Sequence, residues 1–155
     1  MAARGTGRGE QLARIRIAAP LSAVVVYPAV SLSTAKVYSF AQVPSSPLDP
    51  NRLIEQLGEG IVDAEMIELV NRLSEPAKNL ATQISEVLQS LASCGSGPCQ
   101  MTGSGSACFA LTRSLEQAEQ IASQVRLQMQ AGAFVRSVCT VAAPAAIEMI
   151  PFGNS

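Results

Sequence analysis

Histidine and tryptophan are absent from this 155-residue chain, and aromatic residues make up only 4% of it. The lack of histidine excludes a Ser-His-Asp triad and a histidine general base, and with them histidine-containing zinc sites. The scarcity of aromatic rings argues against a stacking platform for nucleic-acid bases. Any chemistry in this chain must therefore rely on other side chains or on backbone groups.

Charge is also sparse, since 11 basic residues face 12 acidic ones for a formal net charge of -1. That balance argues against nucleic-acid binding by bulk electrostatics. With 48% hydrophobic residues, the chain is long enough for one folded domain. No apolar run reaches the roughly 18 residues of a membrane-spanning helix. An arginine-containing amino-terminal segment leaves a transit peptide and a basic nucleic-acid arm as alternatives; its arginines are Arg4, Arg8, Arg14 and Arg16.

The four cysteines form no Cys-x-x-Cys pair, so no metal site is expected. They are Cys94, Cys99, Cys108 and Cys139. Cys108 and Cys139 lie in strand-like runs and are predicted to be buried as small hydrophobic residues. Because no secretion signal is recognised, reduced thiols in a cytoplasmic protein are expected rather than disulfides in a secreted one.

The first part of the chain predicts two strands and two helices. Gln11–Ile17 is a candidate edge strand, and the β-branched run Ser22–Tyr27 is typical of a buried strand. Ser33 is placed to cap a short helix that ends near Ala41. Asp49-Pro50 is a helix start that precedes an apolar face of Leu53, Ile54 and Leu57, with Gly58 and Gly60 at the end.

The middle of the chain predicts further helices. Asp63 can cap one of them, with Ile67 and Val70 facing inward. Pro76 is expected to open a long helix that Gly95 ends. Its apolar stripe comprises Leu80, Ile84, Val87, Leu88 and Leu91.

The last part predicts a strand, a Gly/Ser turn and a strand over Gln100–Thr112, then a helix and a final strand over Ala133–Val141. Ser114 and Gln117 form a capping box for that helix, which Gly132 is expected to end. This order predicts an α+β fold of the ferredoxin-like split βαβ type. Its sheet is antiparallel, with helices on one face.

One segment is dense in groups that bind anions: Thr102, Gly103, Ser104, Gly105 and Ser106. Glycine allows positive φ and close backbone approach, and successive N–H groups can then form an anion-binding nest. No lysine follows the last glycine, so this is not a Walker A loop. An ordinary hairpin turn is the alternative explanation.

The segment Thr102–Phe109 resembles the carboxy-terminal glycine-rich motif of the GHMP small-molecule kinases. Three other segments resemble motifs of that family and occur in its order: Gly7–Glu10, Pro28–Thr34 and Asn71–Ala77. The resemblance implies a GHMP-kinase carboxy-terminal domain over residues 21–150, with residues 1–20 as an edge-strand remnant of a preceding domain.

The family's lysine, main ATP loop and aspartate have no counterpart in this sequence. The resemblance therefore implies no catalytic residue in this chain, which we expect to be inactive alone. The implied partner is the missing amino-terminal kinase half, and we expect self-association through the interface that its absence exposes.

The resemblance is strongest to a branch that uses ATP with Mg²⁺ to phosphorylate an alcohol group on a cytidine diphosphate substrate. That branch serves the methylerythritol phosphate route to isoprenoid precursors. By resemblance, Thr34 contacts a substrate phosphate or hydroxyl group, Tyr38 stacks on cytosine, and the Thr102–Ser106 loop faces the phosphates. The alternatives are the first helical position (N1) or a capping role for Thr34, and a core position for Tyr38.

Other polar residues are assigned structural or solvent roles. Asn71 and Glu75 are expected to cap or join helices, and Lys36 to lie in solvent on a helix. Glu10 is a weaker candidate for a carboxylate that mimics a catalytic one. The competing function is a standalone ferredoxin-like module that binds a small anion or regulates another protein.

Overall fold

The computed structural model describes residues 2–46, 48–59 and 67–141. Two strands, β1 (Ala2–Thr6) and β2 (Gln11–Ile15), form a separate antiparallel hairpin. The remaining elements in chain order are β3 (Ser22–Tyr27), α1 (Thr34–Ser39), α2 (Asn51–Glu59), α3 (Ser74–Leu80), α4 (Gln83–Ser93), β4 (Cys99–Met101), β5 (Cys108–Thr112), α5 (Leu115–Gln128) and β6 (Phe134–Cys139).

The central sheet has four strands in the order β4-β5-β3-β6, and every neighbouring pair is antiparallel. The third strand of the split motif, β5, is inserted between the first and second, as a split βαβ plan requires. The predicted α+β class and ferredoxin-like sheet are therefore confirmed. The strand Ser22–Tyr27 has the bounds that its β-branched run predicts.

The core lies between this sheet and its main helix layer. Val24 and Val26 of β3 and Val135 of β6 meet apolar residues of α4 and α5, and all of these side chains are buried. The helix residues are Ile84, Val87, Leu91, Ala118, Ile121, Ala122 and Val125. Burying each valine, leucine or isoleucine side chain contributes about 1.5–3 kcal/mol, which makes this layer the principal source of stability.

The other face of the sheet is covered only in part. Ala23, Leu111 and Ile67 form a small buried cluster, against which Leu53 of α2 packs. Further along the same face, Tyr27 and Phe134 are paired across β3 and β6, and both are about half exposed. Beside the part that α2 covers, the sheet therefore presents exposed aromatic side chains, with the Arg136 guanidinium 4.6 Å from the centre of the Phe134 ring.

Serine caps position two of the helices as predicted. The Ser33 side chain accepts a hydrogen bond from the Lys36 N–H at the start of α1. The Ser114 hydroxyl accepts one from the Gln117 N–H at the start of α5. The Gln117 amide oxygen accepts from the Arg113 N–H, so it reaches one residue beyond the cap. At α2, the Asp49 carboxylate accepts from the Asn51 N–H at 3.0 Å.

The long helix expected from Pro76 to Gly95 is wrong, because the chain leaves the helical conformation at Ala81. Ala81 is extended, with φ -148° and ψ 106°, and it separates α3 from α4. The apolar stripe continues across this break, since Ala77, Ala81 and Ile84 all enter the core. Periodicity alone therefore cannot detect the break, which changes the backbone direction while burying the same side chains.

Four smaller expectations are also corrected. Val70 is 47% exposed rather than inward, and Cys139 is exposed at the end of an edge strand. The α5 helix ends at Gln128, so Gly132 lies in the following turn instead of at the cap. The strand β1 occupies a Gly/Arg segment in which no strand is predicted.

Some predictions cannot be compared. The predicted cap Asp63, the end of its preceding helix at Gly60 and residues 142–150 lie outside the described residues. None of the helices in the described ranges is long and apolar enough to cross a membrane.

Candidate functional site

The glycine-rich loop joins β4 to β5 at one end of the central sheet. The Thr102 N–H donates to the Ala107 carbonyl at 2.9 Å, and the Gly105 N–H donates to the Thr102 carbonyl at 3.1 Å. These bonds close a tight turn. Both glycines in the turn have a positive φ, 55° at Gly103 and 89° at Gly105. Such values favour glycine, which explains why the sequence has two here.

The two glycines face different surroundings. A β-carbon at Gly105 would lie 2.9 Å from the Met101 sulfur and 3.2 Å from Leu32 Cδ1, so this residue is packed against the core. A β-carbon at Gly103 would meet nothing within 4 Å. The N–H groups of Gly103 and Ser104 also donate to no acceptor among the described residues. The outer side of the loop is therefore open and offers two unused donors.

Two side chains hold the inner side of the loop. The Ser106 hydroxyl donates to the Val30 carbonyl at 2.6 Å. The Asn71 side-chain amide donates to the carbonyls of Met101 and Gly103, each at 2.8 Å. Its oxygen accepts from the Leu73 N–H at 3.0 Å. Asn71 therefore ties the loop to the segment that leads into α3.

The structure brings Thr34 to the same loop. Its hydroxyl and that of Ser104 are 2.9 Å apart, although 70 residues separate them in the chain. Thr34 is the first residue of α1 and follows the capping Ser33, so it is a helix-start residue as the alternative predicted. It also supplies a second exposed hydroxyl beside the loop.

Tyr38 lies one helical turn after Thr34 on α1. Its side chain is 60% exposed, whereas the neighbouring Val37 is fully buried. The alternative that Tyr38 is a core aromatic is therefore wrong. A ring held at the surface by a buried neighbour is free to stack on a planar ligand.

The thiols near the loop do not provide a nucleophile. Burial raises the pKa of the Cys108 thiol to about 12, and the neighbouring Cys99 adds to the rise. Burial also raises the pKa of Cys99. Both thiols therefore stay protonated near neutral pH, and a protonated thiol is a poor nucleophile and a poor metal ligand.

The remaining candidates lie apart from the loop. Glu10 folds back within the β1–β2 turn, where its carboxylate accepts from the Arg8 N–H at 2.6 Å. Glu75 forms an ion pair with Lys78 at 2.9 Å on α3, and Lys36 is exposed. No group of three potential metal ligands occurs in the part of the chain that the structure describes.

These contacts define a site of hydroxyl and N–H donors, and none of the described residues that form it is a general base. Such an arrangement suits the binding and positioning of an anion rather than proton abstraction. Sequence reasoning placed Asn71 in a structural role but missed that it holds the loop. No local pattern signals that role, because the bonds join residues that are 30 and 32 positions apart.

The fold, the glycine-rich loop and the order of the motifs along the chain define a GHMP kinase carboxy-terminal domain. The family described as GHMP kinases C terminal matches residues 52–131, more than half of the 155 residues, and the chain belongs to this family.

Two curated relatives of this chain are kinases that carry the same name. The chain is 45% identical over 147 residues to 4-diphosphocytidyl-2-C-methyl-D-erythritol kinase of Rhodopirellula baltica, covering 95% of this chain and 44% of that protein. It is 30% identical to the kinase of the same name from Bartonella tribocorum, over 87% of this chain and 45% of that protein. The chain thus spans less than half the length of these curated relatives.

A solved structure agrees with this assignment. A crystal structure of 4-(cytidine 5'-diphospho)-2C-methyl-D-erythritol kinase matches with a TM-score of 0.70 and 27% identity. The match covers 87% of this chain and 48% of the solved one.

Proposed function

We propose that this chain is the carboxy-terminal, substrate-side half of an ATP-dependent kinase of the methylerythritol phosphate route. The kinase phosphorylates the 2-hydroxyl group of 4-diphosphocytidyl-2-C-methyl-D-erythritol in the bacterial cytoplasm. The observation that carries this proposal is the 2.9 Å contact between Thr34 and Ser104, which joins two of the motifs into one donor site. The 45% identity to the Rhodopirellula baltica kinase supports the choice of substrate.

In this proposal the loop Thr102–Ser106 and Thr34 position phosphate groups. The unused N–H groups of Gly103 and Ser104 and the two hydroxyls donate to phosphate oxygens, and the open space beside Gly103 lets them approach. Tyr38 stacks on the cytosine ring from its exposed position. Positioning of this kind supplies much of the rate in phosphoryl transfer.

ATP and Mg²⁺ fit this site only in part. The loop donors suit nucleotide phosphates, whereas the described residues offer no cluster of carboxylates for a dedicated Mg²⁺ site. When bound together with the nucleotide, Mg²⁺ would neutralise phosphate charge, and the loop donors would hold the phosphates. Catalysis requires an amino-terminal half of the kind that the relatives' greater length provides. This chain supplies binding and orientation.

The exposed apolar part of the sheet is the proposed contact for that half. Tyr27, Phe134 and Val138 lie on the uncovered face and are 40–49% exposed. Without a partner, such a surface favours self-association. Sedimentation velocity should show species larger than a monomer, and Phe134→Ser should shift them toward the monomer. A concentration-independent monomer would contradict this part of the proposal.

The substrate proposal is tested by titrating the chain with cytidine 5′-diphosphate in a calorimeter. Tyr38→Ala should weaken binding by about 1–3 kcal/mol, because it removes the stacking ring. Tyr27→Ala is the control, since this tyrosine is also exposed but lies on β3, on the uncovered sheet face, and not on α1. Gly103→Val should abolish binding of the diphosphate while it retains the circular dichroism of the fold. Equal affinities of the two tyrosine variants would refute the stacking role.

A phosphoryl-transfer assay tests the kinase assignment itself. The chain alone should not transfer phosphate from ATP, and adding the amino-terminal half of the Rhodopirellula baltica relative should restore transfer to the cytidine substrate. Binding of phosphate without any preference for cytidine would instead favour the standalone anion-binding module.

A further inference from the structure

A cavity lies between the carboxy-terminal end of α1, where Phe40 caps the helix, and α3. Its volume is about 690 Å³, within the range of roughly 300–1,000 Å³ that small-molecule sites occupy. Thr34, Tyr38 and the glycine-rich loop do not line it. The cavity is therefore separate from the donor site described above.

The walls of this cavity combine an apolar surface with one cation. Phe40 is 58% exposed and Val70 is 47% exposed, and both line the cavity together with Pro76 and Leu80. Large apolar side chains exposed in a concave surface favour an apolar ligand. Arg72 also lines the cavity, and its guanidinium group has no ion-pair or hydrogen-bond partner among the described residues.

The acidic residue at the cavity does not neutralise Arg72. The Glu75 carboxylate is instead engaged by Lys78 at 2.9 Å, so Arg72 remains available to an anion. Gln42 and Asn79 add exposed side-chain amides to the same wall. A planar guanidinium group beside amide donors matches the geometry of a carboxylate.

Asn71 connects this cavity to the glycine-rich loop. It lines the cavity, and its side-chain amide donates to the carbonyls of Met101 and Gly103, each at 2.8 Å. A ligand that displaces the Asn71 amide must therefore change the hydrogen bonding of the loop.

We propose that the cavity between α1 and α3 binds a small organic anion with an aromatic or apolar body, and that Asn71 transmits its occupancy to the glycine-rich loop. The apolar body lies against Phe40 and Val70, and the carboxylate pairs with Arg72. This inference does not depend on the proposed kinase function. None of the residues that line the cavity supplies a donor to the proposed phosphate site, and only Asn71 contacts both the cavity and the loop.

The test is an NMR titration of the ¹⁵N-labelled chain with 2-naphthoate, an aromatic carboxylate. Resonances of Phe40, Arg72 and Asn79 should shift, and through Asn71 the Gly103 amide should shift with the same concentration dependence. Neutral 2-naphthamide should bind roughly fivefold more weakly, because it lacks the charge that Arg72 pairs with. Shifts confined to the uncovered sheet face would overturn the proposal.

Two arginine variants make the test specific. Arg72→Gln should raise the Kd for naphthoate by roughly fivefold, whereas Arg113→Gln, an exposed arginine elsewhere, should leave it unchanged within about twofold. Phe40→Ala should also raise the Kd by about fivefold through loss of the aromatic contact. Equal effects of the two arginine variants would overturn the assignment of the carboxylate to Arg72.

Cytidine 5′-diphosphate separates this proposal from the kinase proposal. Under conditions where calorimetry shows nucleotide binding, the Kd for naphthoate should change to a limiting value, because coupling through Asn71 acts in both directions. A Kd that stays constant with the nucleotide bound would overturn the transmission through Asn71. Absence of nucleotide binding would count against the kinase proposal alone, and the naphthoate titration would still test the cavity. A Kd that rises in proportion to nucleotide concentration without limit would show competition for one site and overturn the separate cavity.

Discussion

Two glycine turns of similar sequence are held in opposite ways. The β1–β2 turn contains Gly7 and Gly9 and is fixed by contacts within five residues, such as the Gly9 N–H to the Thr6 carbonyl at 3.1 Å. The Thr102–Ser106 loop is held by Asn71, Val30 and Thr34, which lie 32–76 residues away. The same residue type is therefore a local turn former in one place and part of the core in the other.

The difference shows what a glycine-rich motif can and cannot indicate. In both segments, glycine meets the same backbone requirement for positive φ. In the loop, residues of the core pack against Gly105 and the distant Asn71 binds the Gly103 carbonyl, whereas Gly7 of the turn meets only the side chain of the nearby Glu10. Loops fixed by long-range contacts can hold donors in place before a ligand arrives, which is what anion binding requires.

The largest expected effect comes from adding a methyl group at Gly105. Its β-carbon would lie 2.9 Å from the Met101 sulfur, and its φ of 89° strains any other residue. We expect Gly105→Ala to lower the free energy of unfolding by about 3 kcal/mol, from backbone strain and overpacking together. Urea denaturation followed by circular dichroism measures this change.

Gly9→Ala is the matched control for this substitution. Gly9 has a φ of 101°, but a β-carbon there would meet nothing within 4 Å. Only backbone strain remains, so the expected loss is about 1 kcal/mol. Equal losses for the two variants would show that the packing around Gly105 does not distinguish the loop from the turn.

A smaller loss of stability is expected when the Asn71 side chain no longer binds the loop. Asn71→Ala removes two hydrogen bonds to loop carbonyls and one from the Leu73 N–H, which should cost about 2 kcal/mol. Hydrogen exchange of amides in the Thr102–Ser106 loop should accelerate, while exchange in the β1–β2 turn stays the same. Asn79→Ala is the control, because this exposed asparagine of α3 makes no such bonds. Unchanged hydrogen exchange in the loop would contradict the conclusion that Asn71 holds the loop in place.

The sequence predicts the local parts of this structure better than the long-range ones. The strand Ser22–Tyr27 and the caps Ser33 and Ser114 follow from residues within a few positions of each other. The break at Ala81 does not, since its cause is the packing of two helices on one core. Nor does the pairing of Asn71 with the loop, because no periodicity links residues that far apart.

The candidate site likewise has a part that the sequence predicts and a part that depends on long-range contacts. The glycine-rich loop stands out in the sequence from its composition, and the structure places Thr34 beside it. The open cavity between α1 and α3 has no sequence signature, because Phe40, Arg72 and Leu80 come from three segments. The exposure of Cys139 also differs from the prediction, because this residue lies at the end of β6, which is an edge strand.

Raising the pH to 10 should lower the free energy of unfolding by about 1 kcal/mol, through a buried thiol beside the loop. Burial raises the pKa of Cys108 from 9.0 to about 12, so the folded chain keeps the thiol proton that the unfolded chain releases above pH 9. Stability is therefore unaffected below pH 9 and falls as the pH rises toward 12, by about 1 kcal/mol at pH 10. Cys108→Ala should remove that part of the decline, whereas Cys139→Ala, an exposed thiol, should leave it in place. Parallel pH curves for the two variants would contradict the assignment.

The smallest expected effect lies in the local turn. Glu10→Ala removes the carboxylate that accepts from the Arg8 N–H, but this bond is exposed to solvent, and water can replace it. The free energy of unfolding should change by less than about 0.5 kcal/mol, as at most exposed positions. Cytidine 5′-diphosphate affinity should also stay unchanged, because Glu10 lies in the β1–β2 turn and not beside the loop. A tenfold loss of that affinity would instead place Glu10 at the ligand. The two glycine turns would then form one site, and the contrast between a local turn and a functional loop would no longer hold.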